Sequence, residues 1–164
     1  MAGIASLRID GEEIMVFNAS IYIFKSSGGY SLELECVVGE ITATKYEKVE
    51  NMIVEIELTN GSYLNTIMHK GNGKGRLPRL HIYCELDDPD EYKGIPVIDE
   101  NEADFPDIDE GLSLAEIREY EMPMVKVKLA AVLPINQAEW LGKLKKKELE
   151  AFLTEAVSQG MKNG

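Results

Sequence analysis

The sequence predicts an α+β protein that is mainly β, in which six to eight antiparallel strands form a barrel or a sandwich. A long C-terminal α-helix is expected to pack on this sheet. Two observations support the prediction. Apolar and polar residues alternate through much of the first half of the 164 residues, which is typical of strands with one solvated face. Near the C-terminus, apolar residues instead recur at the spacing of a helix.

The strands are expected in the first half of the chain. Alternation is clearest over residues 30–38, 54–58 and 80–86, whereas residues 14–24 are more continuously apolar and predict a central or strongly bent strand. Dipeptides that suit tight hairpin turns separate these segments, and no proline precedes Pro78. We therefore expect one uninterrupted antiparallel meander over residues 4–86. The dipeptides are Asp10-Gly11, Gly28-Gly29 and Asn60-Gly61.

Residues 87–121 have a different character, because three prolines interrupt them and apolar residues occur only in small groups. Twelve of the 29 acidic residues of the chain lie between residues 85 and 110, where Lys93 is the single base. The rest of the chain is close to neutral. A long acidic loop is therefore expected here, and loops of this length in a small domain are often functional.

A short helix and another strand are expected after this loop. The tetrapeptide that begins at Ser113 matches the capping box of a helix N-terminus, which predicts a helix over residues 114–121. Over residues 124–133, Lys126 and Lys128 alternate with apolar residues. This alternation predicts a strand.

The C-terminal helix is predicted over residues 137–159. Asn136 is expected to cap its N-terminus, and Gly160 is placed to end it. Trp140, the only tryptophan, is expected to anchor the helix on the sheet. Residues 1–164 are thus expected to form a single domain.

Charge and composition exclude several classes of function. The net charge of −12 argues against nucleic-acid binding, since neutralising phosphates needs an excess of lysine and arginine. No apolar run is long enough to cross a membrane, and no signal peptide is apparent. Cys36 and Cys84 are too few for a disulfide framework and are expected to be buried free thiols, the alternative being a single Cys36–Cys84 disulfide. We therefore expect a cytoplasmic protein.

Catalytic chemistry finds little support in the sequence. His81 and Cys84 are three residues apart on a strand, so they point to opposite faces and cannot share a metal ion. No nucleophile motif occurs, so no catalytic residue, metal or cofactor is assigned and an enzyme is not favoured. Four glutamates occupy alternating positions on two of the expected strands, so their side chains point to the same face of each strand. This face is expected to be solvated, the alternative being a pair of catalytic carboxylates. The four glutamates are Glu33, Glu35, Glu55 and Glu57.

Two segments are candidate binding sites. Residues 70–76 alternate glycines with bases, which indicates either a solvated hairpin tip or a loop that binds an anion. The acidic segment indicates either a solvated loop or a surface for a basic partner. A calcium site is a lesser alternative, because Gly111 and Arg118 depart from the spacing of an EF-hand loop. The candidate anion-binding residues are Lys70, Lys74, Arg76 and Arg79. The candidate partner-binding residues are Asp87, Asp88, Asp90, Glu91, Asp99, Glu100 and Glu102.

Three functional hypotheses follow. The first is a non-enzymatic interaction module whose acidic loop engages a basic protein partner, for example an immunity-type inhibitor. The second is an assembly subunit of a homo-oligomeric particle, for example a phage-derived one, in which the long hairpins and the loop pair with neighbouring copies. The seven residues Leu7–Glu13 are slightly similar to the first hairpin of phage tail-tube proteins, but they share only a turn that any hairpin can use. The third is a binder of a small anionic ligand, or an enzyme, that uses the barrel mouth near Lys70–Arg79.

Overall fold

The computed structural model describes residues 2–102 and 104–164. Eight strands form one sheet in the order β2-β1-β5-β6-β7-β4-β3-β8. All neighbouring strands are antiparallel except β3 and β8, and the sheet does not close on itself. The strands are β1 (Ile4–Ile9), β2 (Glu12–Glu13), β3 (Asn18–Ser26), β4 (Gly29–Val37), β5 (Asn51–Leu58), β6 (Tyr63–Lys70), β7 (Arg79–Leu86) and β8 (Val97–Asp99).

The predicted α+β class and the predominance of antiparallel strands are confirmed, although no closed barrel forms. The alternating residues of β4, β5 and β7 direct their apolar side chains to one face, where Leu34, Ile56 and Ile82 are fully buried. Cys36 and Cys84 are buried in this core as free thiols, as expected. Burial raises the pKa of the Cys36 thiol to about 12, so this thiol is inert at neutral pH.

The expectation of an uninterrupted meander is wrong, because helix α1 (Glu40–Tyr46) follows β4. Its sequence contains β-branched residues, and Gly39 at its N-cap offers no side-chain hydrogen bond. Contacts with other segments hold the helix instead. Tyr46 is buried, and Arg118 donates to both carboxylate oxygens of Glu40 at 2.8 and 2.9 Å. Tertiary packing therefore overrides a weak local signal.

The strand expected over residues 14–24 begins only at Asn18. The preceding residues connect β2 to β3, and they are held by single backbone hydrogen bonds rather than a ladder. The N–H of Ile14 donates to the carbonyl of Leu7, and the N–H of Phe17 donates to that of Val37. From Asn18 onward the apolar run is strand β3, in which Ile21, Tyr22 and Ile23 are all buried, so its continuity reflects a strand covered on both faces.

The acidic loop contains more structure than expected. It includes a 3₁₀ turn (Pro89–Glu91) and β8, which pairs with β3. The predicted short helix is confirmed as α2 (Leu114–Tyr120). Its capping box is present, since Ser113 N–H donates to the Glu116 carboxylate at 2.8 Å and Glu116 N–H donates to Ser113 Oγ at 3.3 Å.

The C-terminal helix is interrupted. It consists of α3 (Ile135–Lys143) and α4 (Lys146–Asn163), with Leu144 and Lys145 in extended conformations between them. Four lysines crowd residues 143–147, and their repulsion at helical spacing disfavours one continuous helix.

The expected ends of this helix are also wrong. The helix begins one residue before Asn136, and Pro134 at its N-cap makes no side-chain hydrogen bond. Gly160 lies inside α4 and does not end it.

The chain divides into two compact units, one up to Met124 and one from Val125 to Gly164. In the second unit, no side chain of α3 or α4 is buried, and Trp140 packs edge-to-face on Phe152 with ring centroids 5.2 Å apart. The strand expected over residues 124–133 is wrong, because these residues pair with no described part of the chain. An isolated strand cannot satisfy its backbone groups without such a neighbour.

Candidate functional site

The most connected polar groups lie on the outer face of β3, β4 and β7. The register places Glu33 opposite Tyr83, and Glu35 opposite His81. Because side chains alternate along a strand, these residues share the face opposite the core. We call this set the polar cluster. It comprises Tyr22, Glu33, Glu35, Arg79, His81 and Asp109.

His81 and Glu33 form the first half of the polar cluster. The Nε2 of His81 lies 2.6 Å from a carboxylate oxygen of Glu33, and Ser31 Oγ donates to the other oxygen at 2.5 Å. The hydrogen bond with Glu33 raises the pKa of His81 above its ordinary value. Nδ1 of His81 is buried and makes no hydrogen bond within the described chain.

The ring of His81 is covered by the glycine-rich loop. A Cβ built on Gly71 would lie 2.5 Å from Nδ1, so only a glycine allows this approach. One ring nitrogen is therefore bound to Glu33 and the other is covered by backbone. A general base needs a nitrogen within reach of its substrate, which this arrangement does not offer.

Arg79 and Asp109 form the second half of the polar cluster. The guanidinium of Arg79 lies 2.5 Å from Asp109 Oδ1 and 3.6 Å from Glu35 Oε2. Tyr22 donates from its hydroxyl to Glu35 at 3.2 Å, and burial raises the pKa of this tyrosine. Asp109 also accepts the backbone N–H of Arg76 at 2.8 Å. One guanidinium thus lies between two carboxylates, which leaves this half of the cluster with a formal charge of −1.

The four candidate anion-binding residues are not equivalent. Arg79 forms ion pairs with Asp109 and Glu35. Arg76 donates from its guanidinium to the carbonyls of Asp109 and Leu112 at 3.3 and 3.0 Å. Lys70 donates to the carbonyl of Glu47, and Lys74 is exposed. An anion at this loop would have to compete with the Asp109 carboxylate for Arg79, and with two main-chain carbonyls for Arg76.

The candidate partner-binding residues fall into two groups. Asp87, Asp88, Asp90 and Glu91 are exposed around the 3₁₀ turn, and we call them the acidic patch. The others lie near the β3–β4 hairpin. There Asp99 pairs with Lys25 at 3.3 Å, Glu100 accepts Ser27 N–H at 3.2 Å, and Glu102 is exposed.

The later part of the acidic segment lies across the outer face of β3. Phe105 contacts Tyr22 and Phe24 at centroid distances of 5.8 and 6.1 Å, and Asn18 donates to the carbonyl of Ile108 at 2.9 Å. This placement brings Asp109 to Arg79. Sequence analysis missed the role of Asp109, for which the only signal was its position directly after Ile108 in a mostly polar segment.

A polar cleft of about 630 Å³ lies beside His81, lined among others by Ser31, Glu33, Lys70 and Asp87. Within the described residues, no group of three or more histidine, cysteine, aspartate or glutamate side chains is placed to hold a metal ion. Nor is any described helix both long and apolar enough to span a membrane.

A different kind of candidate site lies at the start of the C-terminal unit. Val125, Val127 and Leu129 are exposed, with 65% of Val127 accessible to solvent, and Val132 is fully exposed. Val125, Val127 and Leu129 alternate with Lys126, Lys128 and Ala130, so one face of an extended chain would be apolar over these residues. We call residues 125–129 the alternating segment.

The pKa of His81 gives a testable pH dependence. Because the pKa of His81 is higher in the folded state than in the unfolded chain, where it is about 6.5, protonation of His81 stabilises the fold at pH values below 6.5. This stabilisation is lost as the pH rises through the pKa of the folded state. We expect the free energy of unfolding to fall as the pH rises from about 6.5 through the raised folded pKa, and to fall less in His81→Gln. Urea unfolding at several pH values measures it. His69→Gln, at an exposed position, is the control, and equal slopes in wild type and His81→Gln would contradict this assignment.

Comparison with protein-family models, curated proteins and solved structures found no match to this chain.

Proposed function

We propose that this chain is a non-enzymatic structural subunit that assembles with further copies of itself. The observation that carries the proposal is the alternating segment, whose apolar side chains are exposed to solvent. Exposed apolar groups at regular spacing mark surfaces that other chains cover. The bonding within the polar cluster also favours a structural role over an acid–base role for its residues.

Burial of this segment is energetically favourable. Covering a valine or leucine side chain contributes about 1.5 to 3 kcal/mol, and the alternating segment offers three of them on one face. The free energy gained by burying these three side chains does not by itself offset the translational freedom lost on association. Backbone hydrogen bonds or further contacts must add to it. We therefore expect the oligomer to depend on protein concentration.

Light scattering coupled to size-exclusion chromatography tests the proposal. The wild-type chain is expected to show a mass above the 18.3 kDa of the monomer, rising with concentration. A triple variant, Val125→Ser, Val127→Ser and Leu129→Ser, is expected to stay monomeric. Ala130→Ser with Ala131→Ser is the matched control in the same exposed stretch. A wild-type chain that stays monomeric at the highest concentration would contradict the proposal.

A second candidate function is an interaction module that engages a basic partner, for example as an immunity-type inhibitor. The acidic patch favours it, because its four carboxylates are exposed and form no ion pair within the described chain. Reversing the four charges to lysine is expected to abolish capture of a basic partner at low salt. Capture that survives both the reversal and high salt would exclude this function. The third hypothesis, an anion binder, is less favoured because the guanidinium of Arg79 is paired with the Asp109 carboxylate and that of Arg76 donates to two main-chain carbonyls.

A further inference from the structure

One strand of the sheet has a free edge. Strand β6 pairs with β5 along its length, from Tyr63 to His69. On its other side it pairs with β7 only at His69 and Lys70. Within the described residues, positions 63–67 of this edge pair with no strand, although the side chain of Thr66 still hydrogen-bonds Cys84 on β7.

The hydrogen-bond ladder shows which backbone groups this edge presents. Leu58 N–H donates to the Ser62 carbonyl, and Lys70 N–H donates to the Glu50 carbonyl, so even-numbered residues of β6 face β5. Gly71 N–H donates to His81 on the opposite side. The N–H and C=O groups of Tyr63, Asn65 and Ile67 therefore point away from β5, toward the free edge.

Burial supports the same conclusion. On the core face of β6, Leu64 and Thr66 are only half-buried, whereas Met68, close to where β7 joins, is fully buried. Their partners on β5, Ile56 and Val54, are fully buried as well. The core is thus incompletely covered along the part of β6 that lacks a neighbouring strand.

The alternating segment has the pattern that this edge requires. In an added strand, Val125, Val127 and Leu129 would share one face, and Lys126 and Lys128 would share the other. The apolar face would extend the cover over the core side of β6. The lysines would then lie on the outer side.

The charges around the edge complement these lysines. On the outer face of the sheet, Glu57 lies opposite Tyr63 on β5, and Glu85 is exposed near the end of β7. Asp87, in the acidic patch, follows directly after β7. Strand β6 itself carries no acidic residue, but acidic side chains on β5, on β7 and directly after β7 flank its free edge. The chain therefore carries a basic strand-forming segment and an edge with acidic neighbours, and this complementarity favours a second copy of the chain as the partner.

We propose that residues 125–129 of one copy add as a strand to the free edge of β6 in a second copy. This inference rests on the proposed self-assembly and specifies its contact. The added segment and the strand edge that receives it are different surfaces of the chain, so the contact is heterologous. It therefore repeats from copy to copy and forms a ring or a filament.

Intermolecular cross-linking tests the contact. Chains carrying Asn65→Cys are mixed with chains carrying Lys126→Cys or Lys128→Cys, all on the outer side of the expected strand pair. Facing residues in such a pair are close enough for a disulfide, and the native thiols are buried. A disulfide-linked dimer is expected in the mixture. It is not expected in either chain alone, nor with Val127→Cys, which lies on the other face.

Proline at the edge gives a second measurement. Asn65→Pro removes an N–H that points to the free edge and leaves the bonds between β5 and β6 intact. We expect it to weaken self-association about tenfold. Asn65→Ala, which retains the N–H, is expected to associate normally. Urea unfolding of both variants shows whether the fold is retained.

The outcomes separate this inference from the proposed function. Self-association that gives no cross-link with Asn65→Cys, and that is unchanged by Asn65→Pro, would overturn the strand addition and leave a homo-oligomer formed in another way. A chain that never associates would overturn both. A double variant of Asn65→Cys and Lys126→Cys that forms its disulfide within one chain in dilute solution would overturn the second copy as partner.

Discussion

Replacing Asp109 by alanine is expected to lower the free energy of unfolding by about 3 to 5 kcal/mol. Its carboxylate is buried, lies 2.5 Å from Arg79 and accepts the backbone N–H of Arg76. The variant would leave the guanidinium of Arg79, whose side chain is only 10% exposed, with only Glu35, at 3.6 Å. Removing one partner of a buried pair costs more than the pair itself contributes, because the remaining charge stays desolvated.

Glu110→Ala is the matched control for this substitution. Glu110 is the next residue, carries the same charge and is exposed, so we expect a change of less than about 0.5 kcal/mol. Urea denaturation followed by circular dichroism measures both variants. Equal effects at the two positions would show that net charge, rather than the contact with Arg79, governs stability here.

Replacing Ile56 by alanine is expected to cost about 2 to 5 kcal/mol of unfolding free energy. Its side chain is fully buried at the centre of the core, whereas Ile53 on the same strand is 52% exposed. Truncating Ile56 removes buried apolar surface and leaves a cavity, and Ile53→Ala leaves none. We expect Ile53→Ala to cost no more than about 1 kcal/mol.

The pair Ile56→Ala and Ile53→Ala also tests the direction of the strand. Both variants make the same chemical change three residues apart, so they face opposite sides of the sheet. Thermal or urea unfolding of the two compares them directly. A larger loss for Ile53→Ala would mean that β5 buries the opposite face.

The sequence predicts best where the local pattern and the tertiary contacts agree. Alternation located β4, β5 and β7 because each has one face in the core. The capping box located α2. Helix α1 was missed because packing of Tyr46, rather than propensity, holds it. Strand β8 was missed because its three residues are too few to show a period.

The candidate site was harder to predict than the fold. Composition located the acidic segment but did not distinguish Asp109, bound to Arg79, from the exposed Asp87. That distinction depends on contacts between residues thirty positions apart. Likewise, the alternation after Met124 indicates a strand, but only the structure shows that the described chain itself supplies no neighbour for it.

Amide hydrogen exchange along β6 tests the addition of a strand at this edge most directly, since the exchange rate of each amide reports whether its N–H is hydrogen-bonded. In dilute solution we expect Tyr63, Asn65 and Ile67 to exchange rapidly, because their N–H groups point to the free edge. Raising the concentration into the range of self-association should slow these three amides. Leu64 and Thr66, bonded to β5, should exchange slowly at both concentrations. Self-association that leaves the three edge amides rapidly exchanging would contradict the addition of a strand at β6.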